Sequence, residues 1–130
     1  MMVRGASIIQ AGGLDDAYWM YCEEMDWCLR LQDAGWAIYA VPAAQVIHHE
    51  GRSSRQVRWR AFERLWRSRF RFYSLHGRRY ASAHRLAVRA LLRVYLRRQA
   101  GQVRAAFGRG QLTGVEAAEA LGAFDAVDRL

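Results

Sequence analysis

Three acidic residues stand close together at the start of a predicted helix: Glu23, Glu24 and Asp26. A carboxylate held in place can take a proton from a hydroxyl as that hydroxyl attacks another molecule, so these acids are candidates for general-base catalysis. They also have a structural explanation. Negative charge is favourable at the positive end of a helix dipole, and Asp26 is spaced to form an ion pair with Arg30. From the residues alone, both interpretations stand.

A second polar group follows the next predicted strand and contains His48, His49, Arg52 and Ser53. Imidazole can bind a metal ion or a phosphate, and an arginine fork or a hydroxyl can contact phosphate oxygens. Adjacent histidines on a strand are also common as structural or surface residues. A zinc site that combines both histidines with the two cysteines is not favoured, because the spacing is wrong and adjacent histidines rarely bind one ion.

Short elements would position these groups. The pattern predicts short strands at residues 1–4, 36–41 and 45–49, and helices at 6–11 and 23–34. Gly12 and Gly13 would close the first helix in a turn, and Gly35 would cap the second one. The strand at 36–41 is apolar on both faces, which is typical of a strand covered on both sides of a sheet.

The second half of the chain is strongly basic. The net charge is +8, all twenty basic residues are arginine, and the stretch from Arg52 to Arg109 contains one acid, Glu63. Such a distribution favours contact with anions. Helices are predicted from Arg55 to about residue 76, from 80 to 99 and from 115 to 127, with a glycine-rich stretch, in part a loop, at 101–114. Thr113 and Glu116 have the spacing of a capping box for the last helix.

The first basic helix has two stripes of side chains. The aromatic stripe consists of Trp59, Phe62, Trp66, Phe70 and Tyr73, and the arginine stripe of Arg60, Arg64, Arg67 and Arg71. With the next helix, it could lie on an anionic membrane with its aromatic side in the headgroup region. Alternatively, the aromatic stripe packs against the rest of the protein and the arginines are solvated. The sequence supports both interpretations equally.

The order and spacing of these motifs resemble the C-terminal half of a family 2 glycosyltransferase domain, an inverting enzyme with a GT-A fold that uses nucleotide sugars. The resemblance covers roughly residues 1–76. It rests on the Gly-Gly-Leu-Asp turn, the acid pair followed by Asp26, the Leu-Arg-Leu helix that ends at Ala-Gly, and the His-His-x-Gly-Arg-Ser run. It implies an α/β fold, in which residues 1–54 are the acceptor-side portion of the domain and residues 55–130 a mainly helical, basic extension.

The resemblance also implies site residues. Glu24 occupies the position of the catalytic base, with Asp26 as the alternative and Glu23 beside it. His48 would reach the metal or the diphosphate, with His49 as the second choice. The implied substrate-binding residues are Gly12, Gly13, Asp15, Trp19, Arg52 and Ser53. Two residues depart from the family pattern: Leu14 stands where phenylalanine is usual, and Glu24 adds one methylene to the usual aspartate.

The implied reaction transfers a hexosyl or rhamnosyl group to a carbohydrate or lipid-linked acceptor in cell-surface polysaccharide or glycolipid synthesis, with Mn²⁺ or Mg²⁺ as cofactor. The family's nucleotide-binding half and its Asp-x-Asp motif are not found before Gly12, and Asp15-Asp16 lacks that motif's context. The sequence therefore predicts a truncated or split enzyme that is inactive alone and binds nucleotide sugar weakly or not at all. A partner chain could supply the donor side.

Location and the competing functions follow from composition. The chain has no signal peptide pattern and no run of about 20 apolar residues, which predicts a cytoplasmic protein or one held peripherally on the inner face of the membrane. Two cysteines are too few for a disulfide scaffold, so reduced thiols are expected. The alternative function is a basic nucleic-acid-binding or non-catalytic interaction module. It is not favoured, because no nucleic-acid motif accompanies the charge.

Overall fold

A computed structural model describes residues 1–47, 57–80 and 82–130 of this 130-residue chain. The described residues form five α-helices and one 3-10 turn at Gly77–Arg79. The α-helices are α1 (Gly5–Ala11), α2 (Glu23–Asp33), α3 (Arg58–Leu75), α4 (Ser82–Gly108) and α5 (Gly114–Asp128). The predicted helices at 6–11, 23–34 and 115–127 are confirmed to within about a residue at each end, and α3 confirms the described part of the first basic helix.

The predicted α/β fold is wrong, because all the regular structure of the described residues is helical and they contain no β-strand. Residues 1–4, 36–41 and 45–47 were expected in strands and are not in regular structure, while 48 and 49 lie outside the described residues. A strand that is apolar on both faces needs neighbouring strands for its hydrogen bonds and layers that cover it. Here Tyr39 and Val41 are instead 83% and 63% exposed.

Helix α2 begins and ends in tight backbone turns. The two residues before it, Tyr21 and Cys22, have φ angles of 71° and 67°, a left-handed conformation that is costly for side chains other than glycine. At its end, Gly35 has a φ of 86°, and the Trp36 and Gly35 amides donate to the carbonyls of Leu31 and Gln32. These two bonds form a Schellman motif, so the predicted glycine cap is confirmed.

The last three α-helices form a bundle around one apolar core. Its buried residues are Leu92 and Leu96 of α4 with Phe124 and Val127 of α5. The aromatic stripe of α3 packs against this core through Trp59, Phe62, Trp66 and Phe70. Edge-to-face contacts join Phe124 to Trp59 and Phe62, with ring centroids 5.3 and 5.7 Å apart. The aromatic stripe therefore packs within the protein, as one of the two interpretations expected.

Helix α4 runs through the stretch that was predicted to be partly loop. It continues past Gly101 to Gly108 because Ala100 and Val103 pack against the bundle core, and this burial outweighs the low helix propensity of one glycine. The chain then turns before α5, where the predicted capping box is confirmed. The Thr113 amide donates to Glu116 Oε2 at 2.8 Å, and the Glu116 amide donates to Thr113 Oγ1 at 3.2 Å.

A smaller cluster joins the N-terminal part of the chain to α3. Tyr18, Cys22 and Phe72 are its buried members, and the partly buried Tyr73 packs against them. The Ser68 hydroxyl donates to the Met20 carbonyl oxygen at 2.6 Å. The loop that leads into α2 is thus fixed on α3. Among the described residues, no helix combines the length and apolar character that crossing a membrane requires.

Candidate functional site

Two side chains of α2 hold the Gly12-Gly13 turn in place. The Trp27 indole N–H donates to the Gly12 carbonyl oxygen at 2.7 Å. Arg30 donates to the carbonyl oxygens of Ala11 and Gly13, both at 2.7 Å. Gly12 has a φ of 76°, a conformation that other residues rarely adopt. The position of this turn relative to the acidic start of α2 is therefore set by side-chain hydrogen bonds to the backbone.

Asp26 is the most enclosed acid of the site, with 2% of its surface exposed. Its Oδ2 atom accepts a hydrogen bond from Arg30 Nε at 2.8 Å, and its Oδ1 atom lies 2.8 Å from His76 Nε2. The ion pair with Arg30 that the spacing predicted is confirmed. Because both carboxylate oxygens are occupied, this geometry favours a positioning role over proton transfer from a substrate. Catalysis by Asp26 stays a prediction.

His76 is a site residue that sequence reasoning missed. It follows the last turn of α3, and its side chain is 9% exposed. Fifty positions separate it from Asp26, and no local pattern around it indicates an acidic partner. The contact forms only when α3 packs beside α2. His76, Asp26 and Arg30 therefore form a continuous chain of contacts from the end of α3 to the Gly12-Gly13 turn.

The other two acids at the start of α2 differ in their surroundings. Glu24 is exposed, so a substrate hydroxyl can approach its carboxylate. Glu23 is partly buried, and its Oε2 atom has no hydrogen-bond partner in the part of the chain that the structure describes. Of the three predicted catalytic acids, Glu24 is thus the one whose exposure suits general-base chemistry.

Asp15 is joined to α3 by a salt bridge. Arg71 Nη2 donates to Asp15 Oδ2 at 2.6 Å, and the Ala17 amide donates to Asp15 Oδ1 at 2.9 Å. The hydrogen bond from Arg71, followed by the one from Ala17, lowers the pKa of Asp15 from its ordinary value of 3.8. A carboxylate held in this way is occupied by the protein itself, which favours a role in fixing the loop.

Replacing Arg71 by leucine should raise the pKa of Asp15 toward 3.8, because the largest cause of its depression is removed. A depressed carboxyl pKa stabilises the folded state above the unfolded pKa, and this contribution is lost as the pH falls through the folded value. The free energy of unfolding of the Arg71→Leu variant should therefore fall less steeply than that of the unchanged chain as the pH drops below about 4. Carbon-detected NMR titration of the Asp15 carboxyl measures the shift, with Arg60→Leu as the control. An unchanged Asp15 pKa would contradict the assignment.

Trp19 presents an exposed aromatic surface next to α3. It is 66% exposed, and the Arg64 guanidinium carbon lies 3.2 Å from its ring centroid. The neighbouring Tyr18 is buried, and burial raises its pKa to about 12. Of this aromatic segment, Tyr18 therefore belongs to the core. Because Arg64 covers one face of the Trp19 ring, the predicted stacking of Trp19 on a sugar would use the exposed remainder of the ring.

Four of the predicted site residues lie outside the described residues: His48, His49, Arg52 and Ser53. Whether His48 meets Glu24 therefore stays a prediction. Within residues 1–47, 57–80 and 82–130, no three His, Cys, Asp or Glu side chains are placed to hold one metal ion. The implied Mn²⁺ or Mg²⁺ with His48 as a ligand therefore stays a prediction.

Known proteins resemble part of this chain. Over 72 residues it is 39% identical to the rhamnosyltransferase WbbL of Escherichia coli K12, a match that covers 55% of this chain and 27% of the relative. The chain is similar to part of a glycosyltransferase. Over 54 residues it is 43% identical to the N-acetylglucosaminyl-diphospho-decaprenol L-rhamnosyltransferase of Mycobacterium tuberculosis, which covers 42% of this chain and 18% of that enzyme.

The extent of these matches is limited. The chain corresponds to 27% or less of the length of either relative. No protein-family model matches the chain, and no solved structure matches it. The two relatives support the relationship to glycosyltransferases that the motifs predicted, at the level of that class of enzyme.

Proposed function

We propose that this chain forms part of an inverting, family 2-like glycosyltransferase that moves a rhamnosyl or related hexosyl group from a nucleotide-diphosphate donor to a lipid-linked acceptor. The observation that carries the proposal is the 39% identity over 72 residues to a rhamnosyltransferase. The name of the mycobacterial relative supplies the acceptor class, a sugar linked by diphosphate to a polyprenol. The product would enter cell-surface polysaccharide or glycolipid synthesis, at the cytoplasmic face of the membrane.

Glu24 is the proposed general base. Its carboxylate takes the proton of the acceptor hydroxyl while the hydroxyl oxygen attacks the anomeric carbon of the donor sugar. The new glycosidic bond forms as the bond from that carbon to the diphosphate breaks, and the configuration at the carbon inverts. Exposure of Glu24 at the first turn of α2 supports this role, because the base must reach the hydroxyl directly.

The hydrogen bonds that join α2 to the Gly12-Gly13 turn and to His76 are proposed to position Glu24. Arg30 and Trp27 hold the Gly12-Gly13 turn against α2, and Asp26 orients Arg30 while it contacts His76. A catalytic carboxylate that moves by about 1 Å can lose on the order of 100-fold in rate. Because α2 is held by the glycine turn on one side and by His76 on the other, it can keep the Glu24 carboxylate in a fixed place. This matters because glutamate is one methylene longer than the aspartate of the family pattern.

Other predicted residues remain part of the proposal. Trp19 would stack on a sugar ring, while Arg52 and Ser53 would contact phosphate oxygens. A divalent metal, Mn²⁺ or Mg²⁺, is proposed for the complete enzyme with His48 as a ligand. Such an ion would offset negative charge on the departing diphosphate. The remaining parts of the donor site are proposed to come from another polypeptide segment or a partner chain.

A chimeric enzyme tests the proposal. The segment of the mycobacterial rhamnosyltransferase that corresponds to residues 12–54 is replaced by residues 12–54 of this chain. The chimera is expected to transfer labelled rhamnose from its nucleotide donor to N-acetylglucosaminyl-diphospho-decaprenol, the acceptor in the name of the host enzyme. As a matched control, the same host segment is replaced by a shuffled version of these residues.

Folding must be measured alongside activity. Circular dichroism and urea unfolding establish whether the chimera has the host's structure and stability. A chimera that folds like the host and transfers no rhamnose contradicts the proposal. Transfer by the chimera, with none by the shuffled control, supports it.

A further inference from the structure

Helix α4 has an apolar surface that the bundle leaves uncovered. Its inner side buries Leu92 and Leu96, which are 6% and 4% exposed. In contrast, Leu86, Leu91 and Val94 are 68%, 70% and 55% exposed. Successive residues of an α-helix are rotated by about 100° around its axis, so the side chains of these three residues point at least about 80° away from those of Leu92 and Leu96.

Arginines border this apolar surface. The exposed arginines of α4 are Arg85, Arg89, Arg93, Arg97, Arg98 and Arg104. Arg93 pairs with Asp128, and Arg89 donates to the carbonyl oxygen of Leu130. In the described part of the chain, Arg97, Arg98 and Arg104 have no carboxylate within ion-pair distance. Their guanidinium groups are therefore available for an anionic partner next to the exposed leucines and valine.

We propose that this surface, the outer surface of α4 formed by Leu86, Leu91, Val94, Arg97, Arg98 and Arg104, lies on an anionic lipid bilayer. The apolar side chains would enter the boundary between headgroups and acyl chains. The arginines would bury their stems beside them and keep their charged ends at the lipid phosphates. This surface is not the aromatic side of α3 that the sequence suggested for membrane contact, because the aromatic stripe of α3 is covered by the bundle.

Charge and apolar exposure together favour a bilayer over other partners. A second copy of the chain would bring arginine against arginine, which is unfavourable. Nucleic acid would attract the arginines but would gain little from Leu91 and Val94, which offer neither hydrogen bonds nor aromatic stacking. An anionic bilayer satisfies both features, since each basic residue near its surface strengthens binding by roughly fivefold.

The proposal goes beyond sugar transfer and is tested without any sugar. The 130-residue chain is sedimented with vesicles of phosphatidylcholine alone or with phosphatidylglycerol added, at low and high salt. We expect binding to the anionic vesicles only, weakened by salt. Leu91→Glu with Val94→Glu should reduce the partition coefficient at least tenfold. The control Val115→Glu, on α5 at a residue 70% exposed, should leave it within about twofold.

A second pair of variants tests the charge. Arg97→Gln with Arg98→Gln should reduce binding by roughly 25-fold at low salt, while Arg60→Gln on α3 should change it little. Urea unfolding verifies that each variant is folded. The proposal is overturned if the chain does not bind anionic vesicles, or if folded Leu91→Glu/Val94→Glu protein binds as the unchanged chain does. Binding to random DNA at concentrations where vesicles are not bound would overturn it in favour of nucleic acid.

The vesicle experiment is independent of the chimera. The chimera contains residues 12–54 and no part of α4, so its activity does not report on this surface. An active chimera with no vesicle binding would overturn the membrane surface alone. Vesicle binding with an inactive, folded chimera would overturn the proposed enzymatic function alone.

Discussion

Replacing Arg30 by methionine is expected to lower the free energy of unfolding by about 3 kcal/mol, the lower end of the scale for leaving a buried carboxylate without its ion-pair partner. The Asp26 side chain, which is 2% exposed, would lose its bond to Arg30 Nε and keep only its contact with His76. The Gly13 carbonyl oxygen would also lose its donor. Methionine retains the length and apolar packing of the arginine stem without the guanidinium group, so the loss reports mainly on charge and hydrogen bonding. Urea unfolding followed by circular dichroism measures the change.

Arg60→Met is the matched control, because Arg60 is an exposed arginine on α3. Its replacement should change the free energy of unfolding by less than about 0.5 kcal/mol. If Arg30→Met costs no more than Arg60→Met, the contacts among Arg30, Asp26 and the glycine turn do not contribute to stability as described. For a small domain with a total stability of about 5–15 kcal/mol, the expected difference is easily resolved.

The double variant provides a sharper test of the pairing itself. Asp26→Asn removes the charge that Arg30 neutralises, so Arg30→Met should cost less in that background than in the unchanged chain. Residues in direct contact commonly show coupling free energies of about 0.5–3 kcal/mol in such a cycle. Additive effects would indicate that Arg30 stabilises the protein through its bonds to Ala11 and Gly13 rather than through Asp26.

Sequence reasoning succeeded where the signal is local. The capping box of Thr113 and Glu116 specifies the start of α5 within four residues, and Gly35 specifies the end of α2. The aromatic stripe of α3 identified the apolar side of that helix, because a period of 3–4 residues marks one side, but it did not decide between a protein core and a membrane. Each of these features is specified by residues within a single helical turn or a single helix.

It failed where the outcome depends on distant residues. The apolar run at 36–41 indicated a strand, but a strand exists only if other strands pair with it, and the described residues supply none. His76 was missed because its partner Asp26 is fifty positions away. The length of α4 was underestimated because packing of Val103 on the bundle decides whether the helix continues past Gly101.

For the site, the sequence identified the acids but could not assign their surroundings. Glu23, Glu24 and Asp26 are nearly equivalent by spacing, yet Asp26 is enclosed by Arg30 and His76 while Glu24 is exposed. The Arg30 contact follows from local spacing, but the His76 contact arises from the packing of α3 beside α2, which no local pattern encodes. The difference in surroundings is also what makes the choice among the acids experimentally testable.

Glu24→Gln in the rhamnosyltransferase chimera is expected to lower kcat by roughly 100-fold or more, the usual contribution of a general base. Glutamine has the shape of glutamate but cannot accept the acceptor's proton at neutral pH. KM for the acceptor should stay within about threefold, since an interaction made only in the transition state contributes little to substrate binding. Steady-state transfer of labelled rhamnose measures both constants.

Two further variants make the result specific to Glu24. Asp16→Asn removes an exposed acid of the same segment that has no assigned role, and kcat should stay within about twofold. Glu24→Asp keeps the carboxylate and shortens it by one methylene, to the residue usual at this position in the family pattern. It should retain most of the activity or increase it.

Asp26→Asn separates the base from its structural support. Because Asp26 contacts Arg30 and His76, its replacement should lower the unfolding midpoint of the 130-residue chain as well as the activity of the chimera. Glu24→Gln should reduce activity with the unfolding midpoint unchanged, since Glu24 is exposed. If Asp26→Asn instead abolishes transfer at full stability while Glu24→Gln remains active, the enclosed acid is the base. In that case the Asp26 carboxylate must separate from the Arg30 and His76 side chains during each catalytic cycle.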